Sequence, residues 1–252
     1  MLPMKSGIHF VTLSLLMFSM AVNAASWWES GRQLLESATG TSTETSSASL
    51  NNLSVEEIAA GLKDALKVGT GKVVSQLGAN DGFLADEQIH IPLPAQIQQA
   101  KALLEKVGMG ASLVELETRL NRAAEAATPK AKTLFLDAIS EMTIEDARNI
   151  YNGSEDAATQ YFRDKMSGSL GEAMRPVIAD SLSQVGAVQV YDSIAGNYKT
   201  LPFVPDLKTD LTDYTIEKGM AGIFYYLAQE EAAIRQDPAK QTTALLKKLF
   251  SR

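Results

Sequence analysis

Apolar side chains recur along most of this chain at intervals of three and four residues, the spacing that lines one face of a helix. The first strong run is Ile58, Leu62, Leu66, Val73 and Leu77. It is opened by Ser54 and Glu57, spaced as a capping box, with Leu53 and Ile58 in the two positions of a hydrophobic staple. Gly61, Ala65 and Gly69 repeat at four-residue spacing, where a second helix can approach closely. Gly78 is the natural stop. From Ala79 to Leu93 the period lapses into a turn signal, Asn80-Asp81-Gly82, and the extended-looking Ile89-His90-Ile91-Pro92-Leu93-Pro94. This is the one stretch that leaves room for a short strand.

Beyond Pro94 the helical spacing resumes. Helices are expected from Pro94 to Val107, from Ser112 to Ala126, from a Thr128 cap with Pro129 at the first helical position, and from Thr143 to Gly153. Another opens at Ser154-Glu155-Asp156 and carries Ala158, Tyr161, Phe162 and Met166. Pro176 predicts a kink or a fresh start between Ser169 and Val185. Ala187, Tyr191, Ile194 and Tyr198 give one more helix. Asp206 is placed to cap a stretch reaching Gln236, with a break near Thr215, and Asp237-Pro238 opens a last helix ending at Phe250. The fold class read from this pattern is all-α, a single-domain array of nine to eleven helices.

The amino end departs from that pattern. Residues 1–24 have the form of a secretory leader, with Lys5, an apolar run from Phe10 to Val22, and small residues at Val22-Asn23-Ala24. That run is 13 residues, short of the roughly 20 needed to span a bilayer. The expected product is therefore an exported, soluble chain beginning at Ala25. Residues 25–37 read as a short amphipathic helix presenting Trp27, Trp28, Leu34 and Leu35. Residues 38–52 contain eight Ser or Thr in fifteen positions and read as a flexible tether, with a reach of about 20 Å. The folded domain is expected over 53–252. The tryptophans of 26–37 are candidates to dock on the domain, on a partner, or at a lipid interface, where Arg32 would be the helix's one cation.

Composition narrows the chemistry. The chain has no cysteine, so no disulfide, thiolate nucleophile or thiolate metal site is available. Without Lys5, 22 basic side chains face 30 acidic ones, a net charge of −8, which disfavours nucleic acid as a partner. His90 is the one histidine beyond the leader, so any Ser-His-Asp arrangement needs it as base; its setting between Ile89 and Ile91 reads as structural. No glycine-rich phosphate loop occurs, and neither cofactor nor metal is expected. Asp206, Asp210, Asp213 and Glu217 share a helical side and read as a solvated acidic face. Glu115 and Arg119 are spaced as an ion pair, and Arg122 is expected to face solvent.

Two sets of residues are candidates for a site. On a helical projection Glu230 falls between Ile223 and Tyr226, so it is a candidate buried carboxylate and general acid, or else a carboxylate paired with a basic side chain. Tyr225 and Tyr226, with Tyr161 and Phe162, are aromatic candidates for a ligand pocket or for core.

Several strings are similar to those of the bacterial domain-of-unknown-function family 4197. They include Leu120-Asn121-Arg122-Ala123-Ala124-Glu125, Pro129-Lys130-Ala131-Lys132, Thr159-Gln160-Tyr161-Phe162-Arg163 and Glu230-Glu231-Ala232-Ala233-Ile234-Arg235. The resemblance extends over nearly all of the chain from Leu53. It implies an exported single-domain protein and supplies no catalytic residue. The functional expectation is a non-enzymatic envelope or periplasmic binding module with an unidentified protein or small-molecule partner. The alternative is a carboxylate-dependent hydrolase acting on a glycan, with Glu230 as acid.

Overall fold

The helical periods become helices in the computed structural model, which describes residues 54–184, 187–198 and 210–237. They are α1 (Val55–Leu77), α2 (Ala95–Lys106), α3 (Gly110–Ala127), α4 (Ala131–Glu141), α5 (Ile144–Asn152), α6 (Ala157–Gln184), α7 (Ala187–Tyr198) and α8 (Leu211–Gln236). A single 3₁₀ turn, Thr128–Lys130, joins α3 to α4. Among the described residues there are thus eight α-helices and no strand, fewer helices than the nine to eleven expected. The 26–37 helix with Trp27 and Trp28, the 38–52 tether, Asp206 and the helix expected to reach Phe250 lie outside the described residues.

Two expected breaks account for part of the shortfall. Pro176 sits inside α6 without ending it. The proline faces solvent while Met174 and Ile178 beside it are fully buried, so packing on either side outweighs the missing N–H. The break near Thr215 is absent: α8 runs through the position, and the buried Thr215 hydroxyl is satisfied by donating to Leu211 O at 2.7 Å. Asp210 caps α8, accepting from the Thr212 and Asp213 amides. Thr128 is not an N-cap: its backbone is helical and its hydroxyl donates to Ala124 O at 2.8 Å. The capping box of Ser54 and Glu57 forms as read, and Thr143 with Asp146 makes another on α5.

α6 is the central strut and packs against α3, α4, α5, α7 and α8. Its buried apolar positions are Ala158, Phe162, Met166, Leu170, Met174, Ile178 and Leu182, one every four residues. At 3.6 residues per turn each step advances the stripe by about 40°, so over the helix it winds around the axis. The amino end of α6 therefore buries one side, with Phe162 edge-on to Phe135 at 5.1 Å, and the carboxyl end buries another. A helix buried on successive sides belongs in the middle of an array.

No strand forms at 89–94: residues 87–89 are a turn, with His90 N donating to Asp86 O at 2.9 Å, and no partner strand follows among the described residues. Ile89, Ile91 and Leu93 are buried and alternate with less buried Gln88, His90 and Pro92, so the two-residue period is real. Its partner is a side chain. The Asn121 amide donates to Ile91 O and accepts from Ile91 N, both at 2.8 Å, reproducing one rung of a ladder. Four residues further along α3, Glu125 accepts from Phe83 N at 3.1 Å and Leu84 N at 3.0 Å. Four residues earlier, Glu117 Oε1 lies 2.7 Å from His90 Nε2, while His90 Nδ1 lies 2.9 Å from Leu84 O. Glu117, Asn121 and Glu125 thus form a polar stripe along α3 that holds the 79–93 strap. Arg122 belongs to the same device, donating to Glu125 at 2.7 Å and Asp81 at 2.6 Å, instead of standing free in solvent. Its guanidinium is held above its ordinary range, first by the Glu125 hydrogen bond.

Candidate functional site

Glu230 lies on α8 facing α1, and its carboxylate accepts a hydrogen bond from Lys72 Nζ at 2.5 Å. Its side chain is 14% exposed. This is the paired arrangement, with a lysine as the basic partner. The void it borders, shared with Gly69, Thr70 and Ile234, holds about 10 Å³, room for one water at most.

The deeply buried carboxylate is its neighbour Glu231, with a side chain 6% exposed. It lies four residues beyond Leu227 and eight beyond Ile223, on the apolar stripe of α8. Glu231 accepts from Ala158 N, Thr159 N and Thr159 Oγ1, each at 2.9 Å, and so caps the first turn of α6 from another helix. One turn later on α8, Arg235 Nη2 donates to Glu231 at 2.9 Å and to Ile150 O at 2.8 Å; Nη1 donates to Tyr151 O at 3.4 Å. The carboxylate meets the positive pole of α6 and the guanidinium meets the negative pole of α5. A single ion pair on α8 clasps both sides of the α5–α6 corner. The sequence signal for this was an acid and a base at i and i+4 within an apolar stripe, which on most helices marks a solvated face.

The tyrosine pair is tied to the strap. Tyr226 donates its hydroxyl to Asp86 and Tyr225 donates to Gln88 at 3.4 Å, so both tie α8 to the strap. The Asp86 hydrogen bond, followed by burial, pushes the Tyr226 phenol up to about 12. Their rings meet edge to face at 5.3 Å. Of the acidic face on α8, Asp213 pairs with Arg175 at 2.5 Å and Asp210 is the helix cap. No group of three or more acidic or histidine side chains among the described residues is arranged to hold a metal ion.

On the outer side of the α5–α6 corner lies an open cleft of about 350 Å³, at the small end of the range for ligand sites. Asp146, Asn149 and Gly153 come from α5 and its carboxyl end, and Gln160, Tyr161 and Asp164 from the first turns of α6. None of the residues lining it is basic. Asp146 commits one carboxylate oxygen to the Thr143 amide and hydroxyl, and those hydrogen bonds, the amide first, hold it below the usual carboxylate range. Gln160 is turned to Asp156 at 2.9 Å. The side chains of Asp164 and Asn149 make no hydrogen bond or ion pair among the described residues. Tyr161 donates to Ala138 O at 3.3 Å, and burial raises its phenol. The Lys165 ammonium stands 5.8 Å from the Tyr161 ring centre. Sequence reading named Tyr161 as a pocket candidate but not the carboxylates around it, because Asp146 and Asp164 meet only when two helices are packed.

No described helix is long and apolar enough to cross a membrane. Comparison with curated proteins and with solved structures returns no match to this chain. Residues 52–251 match the family described as protein of unknown function (DUF4197), and the chain belongs to that family.

Proposed function

We propose that the chain is an exported, non-enzymatic binding module whose ligand site is the α5–α6 cleft. The observation that carries this reading is the coincidence of accessible volume with uncommitted polar groups: Asp164 and Asn149 face no partner and line a space of about 350 Å³. Most other polar groups considered for a site are spent on the fold. Glu231, Glu125, Asn121 and Tyr226 all hold backbone or strap. The hydrolase alternative would need Glu230 to protonate a substrate, yet that carboxylate is engaged by Lys72 beside a water-sized void.

The export half of the proposal rests on the leader-like first 24 residues. Cell fractionation followed by amino-terminal sequencing tests it, with Ala25 as the expected first residue. The binding half is tested by screening the full mature chain against amines, sugars and short peptides by amide NMR. Saturable shifts at Asn149, Gln160 and Asp164 are expected, and shifts confined to other helices would sink the cleft as the site. Glu230→Gln is expected to leave binding unchanged.

A further inference from the structure

One of the ties that fasten the 79–93 strap to α3 is an imidazole serving two acceptors at once. His90 Nδ1 lies 2.9 Å from the carbonyl Leu84 O, and His90 Nε2 lies 2.7 Å from Glu117 Oε1. The first contact closes the 84–90 loop on itself, beside the His90 amide, which donates to Asp86 O at 2.9 Å. The second docks that loop on α3. A carbonyl and a carboxylate both accept, whereas a neutral imidazole carries one N–H and one lone pair. Satisfying both contacts therefore takes one more proton than a neutral ring beside a carboxylate holds. We infer that the strap carries a proton-operated latch: the His90–Glu117 pair holds an extra proton when the 84–90 loop is closed on α3, and loss of that proton as pH rises loosens the loop.

The charged groups around the ring leave this role to the pair. On the strap, Asp86 is committed, with Oδ1 accepting from the Gln88 and Ile89 amides and Oδ2 from the Tyr226 hydroxyl, while Glu87 is exposed. On α8, Tyr214 donates to Pro92 O at 2.9 Å. Burial, then the charges of Glu217 and Glu117, raise its phenol, so it stays protonated well above neutrality. Lys218 stands 5.6 Å from the Tyr214 ring centre. Carboxylates and ammoniums keep their charge between pH 5 and 8, and imidazole is the side chain whose charge changes there. The closed loop binds a proton that the loosened loop gives up, so falling pH tightens it and rising pH releases it. The release is confined, because Asn121 still holds Ile91 and Glu125 still holds Phe83 and Leu84.

The full mature chain is followed by NMR from pH 5 to 8, reading the His90 ring protons and hydrogen exchange at the Ile89 and His90 amides. Each exchange rate is divided by that of an unprotected amide at the same pH. Protection at both amides is expected to fall about two- to tenfold, the scale of one net hydrogen bond, with a midpoint that coincides with the ring titration. Leu170 in α6 keeps its protection. Glu117→Gln supplies the signed control. A side-chain amide can donate to a neutral imidazole, so Nε2 accepts while Nδ1 still donates to Leu84 O. The variant is expected to lose the pH step and to hold the loop more tightly than wild type at pH 8. Flat protection in wild type across a resolved ring titration would overturn the latch. So would a step of equal size in Glu117→Gln, which would put the responsible proton elsewhere.

Discussion

Replacing Glu231 by alanine removes the capping half of the α8 clasp, and the structure sets the size of the effect. Two buried backbone amides, Ala158 N and Thr159 N, lose their acceptor, as does the Thr159 hydroxyl. A buried polar group left unpaired costs about 1–3 kcal/mol. Arg235, whose side chain is 12% exposed, keeps the Ile150 and Tyr151 carbonyls but loses the Glu231 carboxylate. Breaking one side of a buried pair costs about 3–5 kcal/mol, which is the loss expected here in urea unfolding of the full chain with an unchanged denaturant slope. A double-mutant cycle with Arg235→Met separates the two roles. The coupling between the side chains is expected at about 1–3 kcal/mol, and the double variant stays well below wild type because the α6 amides remain uncapped. A loss under about 1 kcal/mol for Glu231→Ala would mean that water or Asp156 caps α6 equally well, and the clasp would be ornamental.

Glycines give a pair of opposite signs. A Cβ at Gly69 meets only Ile234 Cδ1 at 3.5 Å and Glu230 Cγ at 3.6 Å, so Gly69→Ala is expected to raise stability by about 0.5–1 kcal/mol; at Gly222 a Cβ lies 2.7 Å from Phe83 Cε1, and Gly222→Ala is expected to lower it by about 1–3 kcal/mol. Thermal unfolding of both variants checks the pair, and equal signs would contradict the packing. Asn121→Leu is expected to release the strap, read as faster hydrogen exchange at the Ile91 amide with little change at Leu170. For Tyr226 the folded pKa is raised above its ordinary value near 10, so its contribution to stability is complete below pH 10 and is lost as pH rises toward 12. Comparison of wild type with Tyr226→Phe between pH 10 and 12 measures this, and parallel pH profiles would refute it.

Helices were legible where their signals were local. Ser54 with Glu57 and Thr143 with the acids after it name their own helix starts, because a capping box is complete within four residues. The strand expectation at 89–94 was half right for a physical reason. Alternating burial at Ile89, Ile91 and Leu93 is local, but whether a backbone opposes it is decided by a residue 30 positions away. Glu231 went unremarked beside Glu230 for a similar reason. A projection at 100° per residue treats α8 as packed against one plane, whereas α8 touches α1, α3 and α6 on different sides, and Glu231 turns inward to meet amides that no property of α8 announces. Arg122 was read as solvated because its helix face is polar; it is the strap, folded back over that face, that makes the position a buried junction's edge.

These misreadings share a cause that also bears on where function can lie. This fold closes its irregular segments with side chains in place of backbone ladders: Asn121 stands for a strand, Glu125 for a turn acceptor, Glu231 for an N-cap and Arg235 for a C-cap. Each substitution consumes a polar group that sequence reading would offer as a site candidate, and each leaves the group satisfied and shielded. A polar residue available for a ligand must then be one that the architecture has not taken. By that criterion the proposed site passes over the conspicuous acids of the chain, including the Glu230–Glu231 pair, and falls on Asp164 and Asn149, which carry no sequence signal and are left over beside an open space once the helices have met.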